Sequence, residues 1–65
     1  MSHTQAAEDL LTMEEIDAWF EYLDTTRNQP AKRYGEIEPW AHARLTQRLR
    51  AIKARRARLR PAQPA

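Results

Sequence analysis

The 65 residues contain no cysteine, a single glycine and a single serine, and no apolar run approaches the ~20 residues needed to cross a bilayer. Each shortage excludes something. Without cysteine there is neither a disulfide nor a thiolate zinc framework, and the two histidines, His3 and His42, are too few to replace one. With Ser2 as the sole serine and no glycine-rich loop, there is no nucleophile beside a base and no phosphate cradle. An enzyme working alone is not expected, nor is a cofactor, a metal or a small-molecule substrate. His42 follows Glu38 at helical i,i+4 spacing, but two ligands do not make a metal site. The stretch MSHTQAAEDLLTMEEI lacks the basic flank and continuous apolar core of a signal peptide, so a cytoplasmic location without membrane contact is expected.

A chain of this size buries only about 60% of the surface it exposes when unfolded, and it is marginal without staples. With both usual staples missing, association is expected, either as a homodimer or by docking on a larger protein.

The charge is divided along the chain. Residues 1–26 hold Glu8, Asp9, Glu14, Glu15, Asp17, Glu21 and Asp24 with no lysine or arginine, whereas residues 44–60 hold eight bases and no acid. This division matters more than the net charge of +2.

Thr12 stands three residues before Glu15, the spacing of a capping box, and Leu11 could staple onto Ile16. The pattern predicts a helix over 13–26, in which Met13, Ile16, Phe20 and Leu23 share one arc with Trp19 at its edge. Residues 1–11 are read as an N-terminal tail that either frays or adds a helical turn. The stretch RNQPAKRYGEIEP, with two prolines and the only glycine, reads as a connection in which Gly35 supplies a positive φ and one or both of Tyr34 and Ile37 pack across the hairpin end. Pro39 suits the first turn of a second helix over 39–60, which Pro61 stops. Ala41, Leu45, Leu49, Ile52 and Leu59 form its seam, interrupted by Arg56, and residues 61–65 are expected to be a disordered tail. The expected fold is therefore all-α: a two-helix antiparallel hairpin over 12–60, completed by a second copy or a partner.

In such a hairpin Asp24 should lie near Arg44 and the earlier acids near the later arginines, giving about half of the basic run an internal match. Arg50, Lys53 and Arg58 point away from the seam, and KARRARLR overhangs helix one unless the tail is helical. Two helices also cannot enclose Trp19, Tyr22 and Trp40, and aromatic residues are enriched at interface hot spots. The leading expectation is thus a helical protein-interaction module, an accessory subunit, adaptor or regulator, contacting its partner through Trp19, Phe20, Trp40, Leu45, Leu49 and Ile52. The alternative is a basic nucleic-acid-binding regulator using Arg50, Lys53, Arg55, Arg56, Arg58 and Arg60. With only Thr46 and Gln47 available to read bases, its binding would be nonspecific.

Overall fold

The computed structural model describes residues 3–59 as two α-helices, α1 (His3–Thr26) and α2 (Ala31–Leu59), packed as a hairpin. Arg60 and the expected tail 61–65 lie outside the described residues.

Helix α1 begins nine residues before the expected cap. TQAAEDLL contains mostly good helix formers, and Gln5 donates to the Asp9 carboxylate at 3.0 Å, one turn on. Extension also lets α1 match the length of α2. Ala7 and Leu11 then line a hollow with Leu59 at the far end of the hairpin. Thr12 is consequently an interior residue and caps nothing; its hydroxyl accepts from the Arg56 guanidinium at 3.0 Å. The capping-box spacing is real, but it competes with a helical upstream segment that has a surface to pack on.

The C-terminus of α1 closes locally. Thr26, a buried polar residue, donates its hydroxyl to the Tyr22 carbonyl at 2.9 Å, and the Arg27 amide bonds to the Leu23 carbonyl at 2.8 Å. Asn28 then adopts φ 58°, the left-handed conformation that ends helices and that asparagine tolerates after glycine. Pro30 precedes α2 and its carbonyl receives the Tyr34 amide at 2.8 Å. The turn therefore needs only residues 27–30, and the longer expected connection is corrected: Tyr34, Gly35, Ile37 and Pro39 all lie within α2. The positive φ belongs to Asn28, and Gly35 has none. Ile37 is half-buried and Tyr34 is exposed.

A helical glycine costs backbone entropy, and a methyl group added at Gly35 would meet nothing within 4 Å. Gly35→Ala is expected to raise stability by about 0.5–1 kcal/mol in thermal or urea melts. A loss of stability would place residue 35 in a turn.

The seam of α2 is as expected: Ala41, Leu45 and Ile52 are buried, and Leu49 and Leu59 are half-buried. On α1 the packed line is Leu11, Ala18 and Thr26. The arc of Met13, Ile16, Phe20 and Leu23, expected to meet this seam, instead faces away from it, each of the four 46–61% exposed. Small residues explain the choice. Ala18 and Ala41 let the two backbones approach, and the packed line of α1 is flanked by Glu14 and Glu21 on one side and Glu15 on the other, where the arginines of α2 can reach them.

Candidate interaction surfaces

Among the described residues, four ion pairs cross the hairpin. Glu21 meets both Arg44 and Arg48, Glu14 meets Arg55 at 2.7 Å, and Glu15 meets Arg56 at 3.5 Å. The earlier acids thus pair with the later arginines, as an antiparallel arrangement requires. Asp24 does not reach Arg44; it pairs with Arg27 at 3.7 Å, and Glu21, one turn earlier, takes Arg44. Because α1 runs back to His3, the basic segment near residue 56 is not an overhang, and the arginine that interrupts the seam has Glu15 and Thr12 beside it.

The Arg44 guanidinium holds the Glu21 carboxyl below the usual carboxylate range, and Glu21 in turn raises Arg44. Both groups are solvent-exposed, so the pairs set orientation and register more than they add stability.

Near the turn, the Tyr22 hydroxyl donates to the Glu38 carboxylate across the hairpin, which pushes the phenol above its ordinary pKa. Trp19 meets Tyr22 edge-on with ring centroids 6.3 Å apart, and His42 stands 6.5 Å from Tyr22. Glu38 and His42 therefore serve an aromatic contact spanning the two helices. Among the described residues, no group of three His, Asp or Glu side chains is placed to hold a metal ion. No helix among them is long and apolar enough to cross a membrane.

The proposed contact residues separate into two sets. Leu45 and Ile52 are buried inside the hairpin, and Leu49 is half-buried there. Trp19, Phe20 and Trp40 stand open, Trp40 at 74% exposure beside a hollow of about 290 Å³ that it lines with Glu21, Tyr22, Thr25, Ala41 and Arg44. Sequence reasoning missed Leu10, Met13, Ile16 and Leu23 as surface residues. With Phe20 they form an exposed apolar stripe along α1, Met13, Ile16, Phe20 and Leu23 on its outer side, Leu10 on one flank and Trp19 on the other. The periodicity showed the stripe but not which way it points.

Arg50, Lys53 and Arg58 are exposed on α2 and make no ion pair among the described residues, whereas Arg55 and Arg56 are engaged by Glu14 and Glu15. No protein-family model, curated protein or solved structure matches the chain.

Proposed function

We propose that this chain is a non-enzymatic protein-interaction module, an accessory subunit, adaptor or regulator, whose contact surface is the outer stripe of α1. The observation that carries this reading is the stripe itself. Two helices make a single layer, and a helix normally buries its bulkiest apolar side against a neighbour. Here α1 packs Leu11, Ala18 and Thr26 inward and leaves Met13, Phe20 and four similar side chains in water. Six large apolar side chains on one helix, each 46–63% open, are more than the singly scattered apolar groups of an ordinary monomer surface and mark a contact site.

A second reading, a nonspecific nucleic-acid binder, draws on Arg50, Lys53 and Arg58, which are exposed and meet no acid among the described residues. One comparison separates the two. Protein capture from the source cell, with and without nuclease, is expected to survive nuclease and the triple change of Arg50, Lys53 and Arg58 to Gln, and to be lost in Trp19→Ala or Phe20→Ala, since truncating an aromatic anchor can cost about 2 kcal/mol or more. Nuclease-sensitive capture lost in the triple variant would favour the second reading, above all if affinity for purified nucleic acid falls with salt at about 0.9 per phosphate engaged.

A further inference from the structure

Resting on the interaction reading, we propose that the stripe is covered by a second copy of the same chain, the two α1 helices running antiparallel with a two-fold axis at the level of Ala18.

The spacing of the stripe is coiled-coil-like: Met13, Ile16, Phe20 and Leu23 recur at three, four and three residues. Reversing the helix about residue 18 maps this series onto itself. Met13 then meets Leu23 of the other copy and Ile16 meets Phe20, so each layer combines side chains of different shape and the large phenyl rings never oppose one another. On one flank Trp19 approaches its own counterpart; on the other, Leu10 meets Asp24 and the two Asp17 carboxylates face across the axis. The size also fits: six large side chains left 46–63% open on each copy, with the polar groups between them, are of the order that an interface of ~800 Å² per partner covers.

The contact is isologous and closes at two copies. The competing arrangement places α1 of one copy on the outer side of α2 of the next. It would bring Asp17 toward Arg50 and Arg58, but among the described residues that side of α2 offers the stripe little apolar surface beyond Trp40 and alanine methyls, and the head-to-tail contact leaves an end stripe uncovered unless the assembly closes into a ring. Aspartate at the axis works against the dimer, which makes residue 17 diagnostic.

The test uses the full chain, in which any introduced cysteine is unique. Sedimentation over a hundredfold concentration range should show monomer and dimer and nothing larger, with Phe20→Asp monomeric yet fully helical by circular dichroism. Asp17→Asn should tighten the dimer several-fold. Under a disulfide redox buffer, Asp17→Cys should cross-link to itself, and Met13→Cys mixed with Leu23→Cys should cross-link faster than either variant alone. Assemblies that grow without limit, or an Asp17→Asn variant that associates more weakly, would overturn the antiparallel α1 pairing. A wild type that stays monomeric while its stripe variants lose a captured protein would overturn self-pairing and keep the interaction reading. A monomer whose stripe variants lose nothing would overturn both.

Discussion

Leu45→Ala is expected to destabilise the hairpin by about 2–5 kcal/mol, the usual cost of emptying a buried leucine site. Leu45 is 4% exposed in the middle of the α2 seam, opposite the α1 line that contains Ala18. A chain of 65 residues commands only some 3–10 kcal/mol in total at typical values per residue, so the variant should be largely unfolded or melt far below the wild type. Phe20→Ala, at a larger residue, should cost the isolated hairpin less than about 0.5 kcal/mol, because the ring is 57% exposed and most surface substitutions fall within that range. The comparison belongs at low protein concentration, where association does not contribute. If Phe20→Ala destabilised the dilute protein more than Leu45→Ala did, α1 would be packing its bulky side inward, and the stripe would not be a surface.

The second large effect has the opposite sign. Pro39 lies inside α2, eight residues beyond its first, where it supplies no amide to the Gly35 carbonyl and its ring crowds that carbonyl. Pro39→Ala should therefore stabilise the protein, by up to about 3 kcal/mol if the helix regains regular geometry. Were the helix to begin at residue 39, the same change would remove a favourable first-turn proline and stability would fall slightly. Urea denaturation of the two proteins decides between these, and a fall would move the start of α2 and lengthen the turn. The α2 segment before Pro39 has a partner in place: Glu38 accepts from Tyr22, Ile37 is half-buried, and Tyr34 is bonded back to Pro30 through its amide. Those contacts offset the helix-breaking tendency of a glycine and a proline four residues apart.

The same contest between local preference and available partners accounts for the other boundary. Thr12 and Glu15 have the spacing of a helix start, yet α1 runs through them because nine upstream residues are helix-compatible and Ala7 and Leu11 find Leu59. The end of α1 at Thr26 was legible, whereas Pro30 as the start signal of α2 was obscured by the glycine and the second proline beyond it. Of the exposed aromatic residues, Trp19 and Trp40 were legible from their excess over what two helices can enclose; Tyr22, expected with them, is half-buried against Glu38, and Phe20 was expected to pack inward with its arc. Leu45 and Ile52 were not separable from them, since a buried and an exposed leucine look alike in a sequence.

The sequence alone determined two helices, their antiparallel sense and the seam of α2. Acids in the first half, bases in the second and apolar residues at helical spacing admit few other arrangements. Only the tertiary structure decided which side of α1 meets that seam. Hydrophobic periodicity ranks the Met13–Leu23 arc first because it weighs transfer from water. Packing weighed close approach as well, and buried Ala18 on the α1 side of the seam and Ala41 on the α2 side, with Glu14, Glu15 and Glu21 within reach of the arginines opposite. The bulky arc lacks glutamates so placed and would hold the helices farther apart, and it was left for another surface to cover.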